Sequence, residues 1–130
     1  MLSEQIFQEV IMDHYRNPRN FGKLENPDIC FRDSNPACAD VIEININVDG
    51  ENIKEIKFNG QGCAISMATA SMITEHVNKL DDVKNLDKEG VLEMLGIPLS
   101  GMRLKCALLP LKVLKCGVYK YLGENSENDS

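Results

Sequence analysis

Residues Val41–Val48 read as a strand that alternates from Ile42 onward. Ile42, Ile44, Ile46 and Val48 fall on one side of an extended chain, and Glu43, Asn45 and Asn47 on the other. Successive side chains of a strand point to opposite faces, so this run has one apolar and one polar surface. Asp49-Gly50 follows at once and signals a hairpin. The return strand is expected over Asn52–Phe58, with Ile56 and Phe58 in phase; Ile53 is out of phase and calls for a bulge or a later start. Gly60-Gln61-Gly62 reads as the break that ends the sheet. A shorter strand over Ile29–Arg32 would complete a small antiparallel three-stranded sheet.

Helical patterns flank these strands. Ser3 is a candidate cap for a helix to about Tyr15, in which Ile6, Phe7, Val10, Ile11 and His14 make one apolar stripe and Asn17-Pro18 ends the run. Ala64–Leu80 reads as a second helix whose small residues permit close packing. Asp81–Asp87 is expected to be a loop, Lys88–Leu95 a short helix stopped by Gly96, and Ile97–Met102 another loop. The last helix is expected from about Cys106 to Leu122, with Pro110 early in it. The fold class is therefore α+β, with helices packed on one face of the sheet. Residues 1–123 read as one domain and residues 124–130 as a polar, flexible tail.

Composition narrows the function. The net charge is −6 and the chain has no concentrated basic patch, which argues against nucleic acid as a partner. Lys105, Lys112, Lys115 and Lys120 spread along the last helix and read as a solvated face, although such a face can guide an acidic protein. No apolar run is long enough for a membrane span, and the N-terminus lacks a charged segment followed by an apolar one. The expected compartment is the cytoplasm, with the protein a monomer or weak dimer. Five cysteines there read as ligands, nucleophiles or buried thiols rather than disulfides.

Three of those cysteines sit at element ends, in Pro36-Ala37-Cys38-Ala39-Asp40, Gly60-Gln61-Gly62-Cys63-Ala64 and Arg103-Leu104-Lys105-Cys106. Thiols distant in sequence but similarly placed can converge. With Asp40 two residues from Cys38, they suggest a site for zinc, iron or an iron–sulfur cluster. Cys63 and Cys106 are read at or just before helix starts, where the helix dipole favours the thiolate, and Lys105 and Arg103 add positive charge beside Cys106. There is no C-x-x-C pair, so the spacing alone leaves both a shared metal site and separate buried thiols open. Cys30 and Cys116 read as ordinary thiols, His14 as a packed histidine, and His76 as a partner for its helix's C-terminal dipole.

Nearly the whole chain resembles the U-type iron–sulfur scaffold family, which comprises IscU, SufU and the N-terminal domain of NifU. The resemblance runs through Asp13-His14-Tyr15-Arg16-Asn17-Pro18-Arg19-Asn20, the Cys38 segment, Phe58-Asn59-Gly60-Gln61-Gly62-Cys63-Ala64-Ile65-Ser66 and Arg103-Leu104-Lys105-Cys106-Ala107. It implies that Cys38, Cys63 and Cys106 bind a [2Fe–2S] cluster, its iron or a zinc ion, with Asp40 completing the site and keeping the cluster labile. It also implies a cysteine desulfurase partner that delivers persulfide sulfur, with Cys106 or Cys38 as acceptor, and apo-protein recipients. The role is that of a scaffold and sulfur acceptor rather than a conventional enzyme; a zinc-dependent sulfurtransferase is the alternative. Lys105 stands where the IscU branch has histidine and resembles the SufU branch. The SufU insertion between the second and third cysteines is missing, as is the proline pair of the chaperone motif at Leu99–Arg103. Ala39 replaces the usual glycine between Cys38 and Asp40.

Overall fold

The computed structural model describes residues 3–37 and 39–123. Three strands, β1 (Ile29–Asn35), β2 (Asp40–Asp49) and β3 (Asn52–Gln61), form one antiparallel sheet in the order β1-β2-β3. Ile44 of β2 lies between Phe31 of β1 and Phe58 of β3. Gly50 takes a positive φ of 62° at the hairpin. The register slips between Asn47 and Val48, which accommodates the out-of-phase Ile53 opposite Val48.

Five helices accompany the sheet: α1 (Glu4–Arg16), α2 (Ala64–His76), α3 (Leu80–Asn85), α4 (Lys88–Leu95) and α5 (Gly101–Leu122). The inward alternation of β2 puts Ile42, Ile44 and Ile46 in the core with Ile29, Ile56 and Phe58. Each such side chain contributes about 1.5–3 kcal/mol on leaving water. Helix α5 lies on β1 and β2, α2 lies on β3 and against α5, and α1 lies on α2. One cluster of buried apolar residues runs from Ile11 to Val118. Among the described residues, no helix is long and apolar enough to cross a membrane.

Several expected boundaries move. Strand β1 continues to Asn35, because Asp33, Ser34 and Asn35 keep pairing with Ile42, Val41 and Asp40. Gly60-Gln61 does not break the sheet: Gly60 pairs with Ile42 and Gln61 with Val41, extending β3 toward Cys63. Helix α2 stops at His76, and part of the expected Asp81–Asp87 loop is helix α3. There the Asp82 carboxylate accepts from the amides of Asn78 (2.8 Å) and Lys79 (3.0 Å), while Leu80 and Val83 are buried. Helix α5 starts at Gly101, five residues earlier than expected, so Pro110 lies inside it rather than near its start. Helix α4 and its Gly96 stop, at φ 66°, fall where expected. The tail at 124–130 lies outside the described residues.

His14 fastens α1 to α2. It is 8% exposed, and its Nδ1 is 2.8 Å from Ser71 Oγ, which also accepts from the Arg19 amide at 2.8 Å. The Ser71 hydroxyl therefore has its proton to offer to an unprotonated Nδ1. Burial and then the Arg19 charge lower the His14 pKa from its ordinary value, against the opposing pull of Glu75 and Asp13. The unfolded chain consequently takes up a proton at this residue before the folded one does. Stability is expected to fall as pH drops through the ordinary histidine range near 6.5, and the fall stops once the folded His14 also titrates. The thermal midpoint should decline between pH 7.5 and pH 5.5, and His14→Gln should flatten that decline; an unchanged slope in the variant would remove His14 as its source.

Candidate metal centre

The three polar donors of the site arrive on different elements. Asp40 opens β2 opposite Asn35 of β1. It follows Ala39, which has a left-handed φ of 60°. A residue with a Cβ is disfavoured there by about 1–2 kcal/mol, which explains why glycine suits this position. The pairing of β1 with β2 carries the Asp40 carboxylate inward, to 2% exposure.

Cys63 is the N-cap of α2. Its amide donates to Asp40 Oδ1 at 3.0 Å, and its sulfur accepts from the Ser66 amide at 3.5 Å. The same sulfur lies 3.6 Å from Asp40 Oδ2 and 3.7 Å from Ser66 Oγ. A thiol has one proton, so it serves only one of these oxygens at a time. Ser66 Oγ donates to the Cys63 carbonyl at 3.1 Å and is fully buried. Gly62 makes this junction fit: a Cβ there would lie 3.0 Å from the Asp40 carboxyl carbon and would collide with Ser66 Oγ. Ser66 stands in the sequence as the last residue of the Phe58–Ser66 segment, without a role of its own. Its position three residues after a helix-capping cysteine is the signal that marks it as a neighbour of the thiol.

Cys106 completes the described set. It is 4% exposed and sits in the second turn of α5, not at the helix start, because the helix begins at Gly101. The dipole argument thus applies to Cys63 and not to Cys106, since the field falls off beyond the first turn. One ligand atom from each of Asp40, Cys63 and Cys106 lies within 4.8 Å of the others. Tetrahedral binding with metal–sulfur bonds of about 2.3 Å and metal–oxygen bonds of about 2.1 Å puts an oxygen and a sulfur about 3.6 Å apart. The Asp40–Cys63 spacing of 3.6 Å has that value. Two soft sulfurs and one hard oxygen within 4.8 Å of one another are a donor set that suits zinc or iron. Cys38, the expected further donor, lies outside the described residues; its neighbours Ala37 and Ala39 are exposed.

Arg103 and Lys105 are both exposed on α5. Arg103 precedes Cys106 by three residues and shares its side of the helix, whereas Lys105 is turned about 100° away. Cys30 is exposed on β1, and Cys116 is partly buried on α5. Among the described residues, the cluster of donors comprises Asp40, Cys63 and Cys106.

The chain is similar in sequence and fold to known proteins. A family model described as the NifU-like N terminal domain matches residues 6–128. The zinc-dependent sulfurtransferase SufU of Bacillus subtilis is 35% identical, over 94% of this chain and 95% of that protein. Its alignment spans 143 positions, more than the 130 residues here, so it carries residues this chain lacks. The iron–sulfur cluster assembly scaffold protein IscU 1 of Archaeoglobus fulgidus is 32% identical, over 95% of this chain and 82% of that one. FiSufU of Fervidobacterium islandicum AW-1, assigned provisionally as an iron–sulfur cluster assembly scaffold protein for the SUF system, superposes with a TM-score of 0.72. It is 27% identical, with 90% of this chain and 99% of that one covered. The chain belongs to the NifU-like N-terminal domain family.

Proposed function

We propose that the protein is a cytoplasmic scaffold on which a [2Fe–2S] cluster is assembled from iron and desulfurase-derived persulfide sulfur, with an electron donor reducing each sulfur by two electrons to sulfide, and then passed to apo-proteins. The observation that carries this reading is the meeting of Asp40, Cys63 and Cys106 within 4.8 Å. The cluster is cargo, and Cys38, Cys63, Cys106 and Asp40 are its proposed ligands. Persulfide transfer needs a site thiolate to attack the outer sulfur of the donor's persulfide. The donor's S–S bond breaks, a new one forms on the acceptor, and the donor cysteine leaves as a thiolate. Burial of Cys106 favours Cys38, between two exposed alanines, as the first acceptor. Arg103 and Lys105 offset part of the negative charge that thiolates and a carboxylate bring together. The exposed Cys63 leaves one side of the centre open to a partner.

Anaerobic reconstitution with iron, cysteine and a cysteine desulfurase is expected to give a visible cluster spectrum that disappears when Cys38, Cys63 and Cys106 are all replaced by serine. Retention of the spectrum in that variant would overturn the assignment.

A second reading is favoured by the same donor spacing together with the Bacillus subtilis relative: a resident zinc ion in the site of a sulfurtransferase. Zinc would fix the thiolates and modulate their reactivity, while the chain's own cysteines accept and release the sulfur. Tight zinc after aerobic purification and strong stimulation of desulfurase turnover, with no cluster after reconstitution, would select this reading over the scaffold.

A further inference from the structure

Beside the metal centre, an open groove of about 650 Å³ runs along α5, between the end of β1 and the start of α4. Its volume falls within the ~300–1,000 Å³ range of binding clefts. Leu108, Leu109 and Leu111 contribute apolar floor. Lys88, Lys105, Lys112 and Lys115 line it, in a protein whose net charge is −6. The groove is contiguous with the site's own segments: Pro36 at its end is two residues from Cys38, and Lys105 is adjacent to Cys106.

Among the described residues, the charges are cancelled locally only at Lys112. Lys112 pairs with Asp33 at 3.0 Å, and Lys115 donates to the Lys84 carbonyl at 3.2 Å. Asp87, the acidic residue of the lining, accepts from the Gly90 amide as the cap of α4. Lys88 and Lys105 have no ion-pair partner among the described residues. Lys105, Leu108, Lys112 and Lys115 recur at three- and four-residue spacing on α5, which places cationic heads around apolar floor on one helix side.

We infer that this groove docks an acidic, amphipathic peptide segment of a partner protein, with leucine-like side chains on the floor and carboxylates at the lysines. The charge sign selects an acidic occupant, and the apolar floor selects one that carries large aliphatic residues. A protein held there stands next to the cysteines, a consequence that rests on the scaffold reading; the docking itself needs no metal.

The test uses the full chain, reduced and metal-free, and a fluorescein-labelled peptide of about twelve residues with leucines at helical spacing and glutamates elsewhere. Fluorescence anisotropy should show saturable binding. The binding should weaken about tenfold in Lys88→Glu/Lys105→Glu and also fall in high salt. Peptides with serine for leucine, or glutamine for glutamate, should bind far more weakly. Circular dichroism of the exposed-lysine variant checks that it remains folded, and backbone amide NMR shifts should map to the groove. Equal affinity of parent and variant, equal binding of either control peptide, or shifts mapping elsewhere would overturn the proposal. Self-association that Lys88→Glu/Lys105→Glu disrupts, without peptide binding, would overturn it in favour of a second copy of this chain. Because no cluster is formed, failure here is distinct from failure of the reconstitution experiment.

Discussion

Gly60→Ala is expected to lower stability by about 4 kcal/mol or more, enough to threaten folding in a protein whose total stability is typically about 5–15 kcal/mol. Gly60 has a φ of 143° and pairs with Ile42 across the sheet. A Cβ at this position would run into the Val41 carbonyl oxygen and lie 3.0 Å from the Val41 carbonyl carbon and 3.1 Å from Ile42 Cα. These are backbone atoms of a central strand, so they cannot turn aside as a flexible side chain could. Relief requires β3 to leave β2 where it delivers Cys63 to Asp40, and the variant should therefore lose the Asp40–Cys63 junction with its fold. Gly50→Ala provides the contrast. Its φ of 62° is strained for alanine, but a Cβ there meets nothing within 4 Å, so only about 1–2 kcal/mol is expected. Urea unfolding of the two variants checks the difference; similar midpoints would show that the cross-strand collision is not the deciding cause.

The same glycine shows where sequence reading stops. Alternation from Ile42 to Val48, the Asp49-Gly50 turn and the phase error at Ile53 each state a local geometry, and the sheet follows all three. Ser3 and Gly96 were equally legible, since helix caps depend on one or two residues. Gly60-Gln61 resembles an interruption because glycine often is one; here the missing side chain permits close approach of another strand, a tertiary fact. Ser100-Gly101 likewise resembles loop, and Gly101 does take a φ of 59°, yet α5 begins there and the helix packs on the sheet. The polar run Asp81–Asp87 concealed α3, whose formation rests on the Asp82 cap and the burial of Leu80 and Val83. For the centre, sequence named Asp40, Cys63 and Cys106 but carried no distance among them. Their separation depends on the β1–β2 register, on β3 reaching Gln61 and on where α5 crosses the sheet. The cap that joins Cys63 to Asp40 and Ser66 is likewise a product of that packing.

Replacing Asp40 is expected to slow cluster transfer about tenfold, the scale of effect that substitutions around a metal site produce. As the proposed fourth ligand, Asp40 would offer a hard carboxylate oxygen among soft thiolates, and that bond would be the first to open when a recipient's thiolate arrives. Removing it closes that route and should leave a more persistent cluster. Asp40 has a second role that must be separated from the first, because its Oδ1 accepts from the Cys63 amide at 3.0 Å at the start of α2. Asp40→Ala leaves that donor without its acceptor and should also cost about 1–3 kcal/mol of stability. Asp40→Asn keeps an oxygen for the amide while losing the anionic ligand, so it should transfer slowly with a smaller loss of stability. Reconstituted parent and both variants can be mixed with an apo-recipient and followed by the decay of donor cluster absorbance, alongside urea unfolding of each. Slow transfer in both variants with a marked stability loss in Asp40→Ala alone would separate lability from helix capping. Equal transfer rates in all three proteins would remove Asp40 from the release step and leave it only as the cap that positions Cys63.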